Sequence, residues 1–175
     1  MSTKQKCVFL DRDGVLNEEL GDYITKIDDL IIPEGVPGAL KALKAAGYLL
    51  IVITNQAGIA KGLYGPELVY AIHEKIQEVA DHVMDDLYFS PYHPEFSGKS
   101  LSRKPDSLLI EKAIAKYNID ASQSWMVGDR GRDMLAGKKV ALHTIQILSE
   151  HEMLVGDHGV ANLAEAATII LKQAS

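Results

Sequence analysis

Short apolar runs alternate with stretches of helical periodicity along this chain, and that alternation restricts it to a parallel sheet wrapped by helices. Cys7-Val8-Phe9-Leu10 reads as a buried strand that stops at Asp11. A helix is expected near Val36 to Ala46, ended by Gly47, a residue free to take positive φ. Leu49 to Ile53 reads as a second buried strand, stopping at Thr54-Asn55. Leu68, Ile72, Ile76, Val79 and Val83 recur at helical spacing, which predicts a helix from Pro66 to about Val83 with Pro in its first turn. Leu87-Tyr88-Phe89 is a short strand opening a loop rich in Pro, Ser and Gly that runs to Pro105. A helix over Leu108 to Tyr117 follows, then a strand at Trp125-Met126-Val127 stopping at Gly128-Asp129. Ala141 to Ile147 reads as the last strand, and Asn162 as the cap of a final helix whose Leu163, Ala166, Ala167, Ile170 and Leu171 share one face. No repeat or linker interrupts this pattern, so residues 1–175 read as one α/β domain.

Three of these strands end in polar residues of one chemical kind: Asp11-Arg12-Asp13-Gly14, Thr54-Asn55-Gln56 and Gly128-Asp129. The carboxyl ends of parallel strands converge on one crevice, where ligands bind. Asp11, Asp13, Thr54 and Asp129 are therefore expected to meet in space. Asp133 lies one helical turn beyond Asp129 and can face the same place. Two like charges about 4 Å apart repel by roughly 4 kcal/mol at an effective dielectric near 20, so converging carboxylates need protons or a cation. All-oxygen ligands that leave room for water and phosphate favour Mg²⁺. Lys104, in Arg103-Lys104-Pro105, is the natural counter-charge for a nucleophile and a bound phosphate. Taken singly, each feature has an ordinary reading: Asp-x-Asp-Gly as a turn, Thr54 as a helix cap, Lys104 as a surface lysine. A calcium loop is disfavoured, because a strand precedes Asp11 and Val15 and Leu16 fall among the following positions.

Composition narrows the partners. A net charge of -6 argues against nucleic acid, which needs a basic face. Cys7 is the only cysteine, so neither an intrachain disulfide nor a Cys-based zinc site is expected. The apolar run before Asp11 is too short for a signal peptide or a membrane span, so no membrane partner is expected and the cytoplasm is the default location. Oligomeric state is not readable from the sequence.

Asp11-Arg12-Asp13-Gly14-Val15-Leu16-Asn17, then Thr54-Asn55-Gln56, Lys104, and Gly128-Asp129 with Asp133, together resemble the haloacid dehalogenase superfamily of phosphotransferases. Phe9-Leu10-Asp11-Arg12-Asp13-Gly14, Thr54 to Ala60 and Arg103-Lys104-Pro105 are similar to its branch of heptose bisphosphate and histidinol phosphate phosphatases. The resemblance implies a three-layer Rossmann-like parallel sheet with helices on both faces. It also implies Asp11 as nucleophile, Asp13 as general acid and base, and Thr54 and Lys104 on the phosphoryl oxygens. Mg²⁺ would be held by Asp11, Asp129 and the backbone carbonyl of Asp13, with Asp133 orienting Lys104 or a metal-bound water. The substrate would be a small phosphorylated metabolite, met by Arg103 and, with less support, by Asn55, Gln56 and Arg130. Glu19 and Tyr23 fall in the loop after the nucleophile and are expected near the site.

Many members of the branch carry a zinc loop of the pattern Cys-x-His then Cys-x-Cys. Here the corresponding positions are Ser90, Tyr92, Ser100 and Ser102, and His93 alone cannot make a tetrahedral site, so zinc is expected to be absent. The loop is then expected to be held by Pro91, Pro94, Tyr92 and Phe96. The stretches from Asp13 to Thr54 and from Thr54 to Lys104 are already filled by the elements above. No cap domain fits, and the site is expected to be open. Glu150 to Gly159 matches no pattern. The leading function is a sugar-bisphosphate phosphatase acting on a heptose, with histidinol phosphate or another phosphate ester as rival substrates. A non-catalytic phosphate-binding module is the alternative of another class.

Overall fold

The computed structural model of the chain describes residues 3–149 and 152–173. Its strands are β1 (Cys7–Leu10), β2 (Leu49–Asn55), β3 (Asp86–Ser90), β4 (Trp125–Gly128), β5 (His143–Ile147) and β6 (His158–Val160). Its α-helices are α1 (Gly35–Ala45), α2 (Pro66–Val79), α3 (Leu108–Tyr117), α4 (Gly131–Lys139) and α5 (Leu163–Gln173). The six strands form one sheet in the order β3-β2-β1-β4-β5-β6, and every pair is parallel.

Alternation along each strand sends neighbouring side chains to opposite faces, and both faces are apolar because both are covered. Val8, Leu50 and Trp125 stand side by side in register and pack with Leu40 and Leu43 of α1, Ile72 and Ile76 of α2, and Ala166 and Ile170 of α5. Phe9, Ile51 and Met126, one residue on, face Ile110 and Ala113 of α3 and Met134 and Ala136 of α4. The result is three layers, with the sheet between α1, α2 and α5 on one side and α3 and α4 on the other. No extra module is inserted between β1 and β3 among the described residues, in line with the capless reading.

The chain runs outward from β1 to β2 and β3, then crosses back to β4, which lies on β1's other side. This reversal makes a switch point between the carboxyl ends of β1 and β4, where neighbouring crossovers diverge and leave a crevice. Asp11 N still donates to Val127 O at 2.9 Å, so the first residue past β1 stays fastened to β4.

The structure differs from the sequence reading in three places. Helix α2 ends at Val79, not near Val83, because Asp81 and His82 take φ of 54° and 55° and turn the chain out of the helix. The strand expected over Ala141–Ile147 begins at His143, with Ala141 at φ 59°, and it is not the last strand. The unassigned stretch Glu150–Gly159 supplies β6 from His158 onward, while Glu150 and His151 lie outside the described residues. The Asn162 cap is present: its Oδ1 accepts from Glu165 N at 3.0 Å, and Glu165 Oε2 accepts from Ala161 N at 2.9 Å. No described helix is long and apolar enough to cross a membrane.

Leu40 is fully buried where α1 meets the sheet. Leu40→Ala is expected to cost about 2–5 kcal/mol of unfolding free energy in urea titration, from lost burial and the cavity it leaves.

Candidate active site

Asp11 and Lys104 define the floor of the crevice. Lys104 comes from the loop after β3, yet its side chain is 1% exposed and reaches the end of β2. Its Nζ lies 2.8 Å from Asp11 Oδ1, 2.8 Å from Asp133 Oδ1 and 2.6 Å from Ile53 O. The ammonium thus donates a hydrogen bond to the Ile53 carbonyl and stands in ion-pair contact with both carboxylates, while Asp133 Oδ1, though 2.8 Å away, is itself buried without a hydrogen bond. Burial pulls the Lys104 pKa down, but the two carboxylates outweigh it and the net shift is upward. Asn55 fixes the lysine's backbone from both sides, accepting from Lys104 N at 3.0 Å and donating to Lys104 O at 3.1 Å. Asp133, fully buried, gives its other oxygen to Arg130 N at 3.0 Å, at the start of α4.

Both partners of Asp11 fall on one oxygen. Oδ1 accepts from Arg12 N at 2.8 Å and is ion-paired with Lys104, and Oδ2 makes no bond among the described residues. Asp129, next to Asp11 across the switch point, pairs through Oδ2 with Arg130 Nε at 3.1 Å, while its Oδ1 is buried without a hydrogen-bond partner. Gly14, at φ +80°, lies so close to Asp129 that a Cβ there would sit 2.5 Å from the carboxylate. Only glycine leaves the first turn after β1 room to close over the second acid.

Asp11, Asp129 and Asp133 each present an oxygen within 4.8 Å of the others. Burial, then the charge of Asp133, pushes the Asp11 carboxyl up to about 6 against the pull of Lys104. Burial, then Asp11 and Asp133, pushes Asp129 up to about 7 against Arg130. Carboxylates this crowded hold protons until a cation replaces them. An all-oxygen donor set, a trio within ion-binding reach and an orphaned buried carboxylate oxygen together fit a hard metal ion.

Asp13 stands apart from this trio, in a network of its own. Arg12 donates to it through Nε (3.1 Å to Oδ1) and Nη2 (2.8 Å to Oδ1, 3.1 Å to Oδ2). Asn17 Nδ2 donates to Oδ1 at 3.0 Å, and Gln56 Nε2 to Oδ2 at 3.0 Å. Gln56 also donates to Thr54 Oγ1 at 2.9 Å and accepts from Tyr64 OH at 2.6 Å. Thr54 therefore accepts from Gln56 and keeps its own hydroxyl proton to donate elsewhere.

A cavity of about 280 Å³ opens over these groups, lined by Asp11, Asp13, Glu19, Tyr23, Asn55, Gln56, Tyr64 and Arg132 among others. Glu19 and Tyr23 are thus where the sequence places them. Asn55 lines the cavity too, but both ends of its amide are engaged with Lys104. Arg103 donates through Nη1 to Tyr92 O at 3.2 Å, and burial, then the nearby Arg132 charge, lowers its pKa. Arg130 is engaged on two sides: besides Asp129 it pairs with Glu152 at 2.7 Å, and it lines an adjoining cavity of about 540 Å³ that Asp129 and Glu19 also line. Arg12, Asn17, Tyr64 and Arg132 escaped the sequence reading as site residues. The first two sat inside the quoted motif, whereas Tyr64 and Arg132 carry no local signal.

The loop after β3 is held differently from expectation. Ser90 and Ser102 are linked Oγ to Oγ at 2.9 Å, and Ser100 joins Ser102 at 2.8 Å. His93 accepts from Glu95 N through Nδ1 at 3.2 Å and stacks edge-on with Phe96, so it serves the loop. Hydroxyl bonds thus join the contacts of Phe96 in holding the loop.

Lys104→Met keeps the length of the side chain and removes its charge, leaving Asp11 and Asp133 buried without a counter-ion. It is expected to destabilise the metal-free protein by about 3–5 kcal/mol at pH 8 in urea unfolding. A change below about 1 kcal/mol would show that the buried cation does not hold the two acids.

A family model described as haloacid dehalogenase-like hydrolase matches residues 4–141. The D-glycero-beta-D-manno-heptose-1,7-bisphosphate 7-phosphatase of Haemophilus ducreyi is 41% identical over 148 residues, covering 80% of this chain and 81% of that one. The D-glycero-alpha-D-manno-heptose-1,7-bisphosphate 7-phosphatase of Burkholderia mallei is 32% identical, covering 97% of this chain and 89% of its own. Among solved structures, the D,D-heptose 1,7-bisphosphate phosphatase of B. bronchiseptica, complexed with magnesium and phosphate, superposes with a TM-score of 0.85 at 25% identity, covering 97% of this chain and 99% of that chain. With the family match spanning most of its length and relatives of this similarity, the chain belongs to the haloacid dehalogenase-like hydrolase family and stands among its phosphatases.

Proposed function

We propose that this chain is a Mg²⁺-dependent phosphomonoester hydrolase, one domain over residues 1–175, that removes the 7-phosphate of D-glycero-D-manno-heptose 1,7-bisphosphate through an aspartyl-phosphate on Asp11. The observation that carries the reading is the asymmetry of Asp11, with one oxygen held by Arg12 N and Lys104 and the other without a bond among the described residues. The names of the relatives support the substrate.

Chemically, Asp11 Oδ2 attacks phosphorus in line, the bond to the sugar oxygen breaks, and Asp13 supplies a proton to the departing alkoxide. Asp13 then takes a proton from water as that water displaces Asp11 from phosphorus. Arg12, Asn17 and Gln56 keep the Asp13 carboxyl in place for both transfers. Thr54 donates its hydroxyl to a phosphoryl oxygen, and Lys104 offers charge beside the nucleophile. Mg²⁺, with Asp11, Asp129 and the Asp13 carbonyl as ligands and Asp133 beside them, would neutralise the repulsion between anionic nucleophile and anionic phosphate.

The cavity favours a substrate whose far end is anionic. Arg12 and Arg132 line it and Arg103 lies close by, and neither Arg132 nor Arg103 has an ion-pair partner among the described residues. Glu19 and Asp22, on the same wall as Tyr23, can accept from sugar hydroxyls.

Phosphate release from the heptose bisphosphate, histidinol phosphate and simple sugar monophosphates tests the reading directly. Expected are Mg²⁺-dependent turnover preferring the bisphosphate and loss to background in Asp11→Asn. Preference for another ester would sink the heptose assignment, and phosphate binding without turnover would sink the hydrolase.

A second expectation follows from the acids. Folded Asp11 and Asp129 titrate near 6 and 7, above the ordinary carboxyl value near 3.9, so the metal-free fold binds more protons than the unfolded chain between these limits. Their contribution to stability is therefore present at low pH and lost as pH rises through about 7. Mg²⁺ binds the deprotonated acids, so the rise in Tm that it produces is expected to be larger at pH 8 than at pH 5.5. Equal shifts at both pH values in scanning calorimetry would place the ion away from this trio.

A further inference from the structure

The loop that joins β3 to Lys104 is closed by side chains, and its closure bears on specificity under the phosphatase reading above. Ser90, the last residue of β3, is fully buried, and its carbonyl accepts from Gln56 N at 2.8 Å. Its hydroxyl meets that of Ser102, 12 residues on, at 2.9 Å. Ser102 Oγ is 2.8 Å from Ser100 Oγ, and Ser102 N donates to Ser100 Oγ at 3.2 Å. Arg103 N then donates to Ser100 O at 3.1 Å, and its guanidinium donates to Tyr92 O at 3.2 Å.

We infer that the hydroxyl cluster of Ser90, Ser100 and Ser102 is a clamp that positions Arg103 and thereby sets which phosphate esters the site prefers. Ser102 is the centre of the cluster, since both other hydroxyls meet it. Ser90 anchors it to the sheet and, through Gln56, to the wall that holds Asp13. Ser100 carries it to the backbone of Arg103. A guanidinium on a long stem loses much rotational freedom on binding an anion, and fixing its backbone and one of its donors beforehand lowers that loss. The clamp stops at Arg103, because Lys104 is held separately by Asn55, Ile53 O, Asp11 and Asp133. Its effect therefore falls on the far end of the substrate. A second tether secures the outer part of the loop, where Lys61 Nζ lies 5.4 Å from the Phe96 ring and 5.0 Å from the Tyr23 ring.

Steady-state kinetics on the heptose bisphosphate and on p-nitrophenyl phosphate, which has no distal anion, would test the clamp with Ser102→Ala, Ser102→Thr, Ser90→Ala and Arg103→Ala. Ser102→Ala leaves two hydroxyls without their partner and is expected to raise the KM for the bisphosphate, relative to the monoester, about tenfold. Ser102→Thr keeps the hydroxyl and restores the ratio, and Ser90→Ala repeats the loss from the other end. In the Arg103→Ala background Ser102→Ala has no further effect, because it acts through that side chain. Equal losses on both esters, or effects that simply add to those of Arg103→Ala, would overturn the inference. Hydrogen exchange decides the clamp independently of the substrate: the Arg103 amide exchanges faster in Ser102→Ala than in wild type or Ser102→Thr, and unchanged exchange sinks the clamp. Wild-type failure on both esters would instead refute the phosphatase reading and leave the exchange result to stand alone.

Discussion

Everything at the carboxyl edge of this sheet depends on one buried ammonium. Lys104 sits between Asp11 and Asp133 and beside the carbonyl of Ile53, so it joins the ends of β1 and β2 to the first turn of α4. Burying a charge is unfavourable unless it is paired, and here two carboxylates and one carbonyl oxygen surround it. Lys104 pulls against the burial and the neighbouring Asp133 charge that push the Asp11 carboxyl up, so without that cation Asp11 would hold its proton more firmly. The amide of Asn55 keeps the lysine's backbone in register, which makes a loop residue as well placed as one on a strand.

The fold brings the acids to that point, and the loops decide what reaches them. The switch point between β1 and β4 places Asp11 and Asp129 side by side, while β2 contributes Thr54 one strand away. Above them, three loops meet without an inserted module between them. The segment after β1 brings Glu19 and Tyr23, the segment after β2 brings Lys61 and Tyr64, and the segment after β3 brings Phe96 and Arg103. Tyr64 ties the second of these to Gln56 and so to Asp13, and Lys61 spans all three through its two ring contacts. The same loops that shape the entrance thus also steady the acid that would move protons.

How much of this was legible from the residues divides along range. Asp11, Thr54, Lys104, Asp129 and Asp133 declared themselves because each follows a buried run or sits at a fixed offset from one. The three-layer sheet followed from the same runs. What stayed hidden depended on contacts between distant positions. Asn55 looks like a ligand-facing amide, and only the folded chain shows both its atoms on Lys104. Arg130 looks equivalent to Arg132 in Asp129-Arg130-Gly131-Arg132-Asp133, yet Asp129 and Glu152 hold the first while the second lines the cavity. Strand β6 has three residues, one of them glycine, too few to set up an alternating pattern. Helix α2 stops at residues other than glycine in the left-handed region, where composition offers no warning.

Asp133 answers to two masters, capping the first turn of α4 with one oxygen and holding Lys104 with the other. A shorter, longer or neutral side chain would fail in at least one of these tasks, so drift at this position is closed off from two directions. Arg132 is its immediate neighbour, carries no ion pair among the described residues and lines the cavity, so replacing it would change what an incoming molecule meets and leave the Asp133–Lys104 pair in place. A single turn of helix therefore places a residue held by two contacts next to one that faces the cavity. What the cavity meets and what anchors the buried lysine are thus carried by adjacent residues of the same helix.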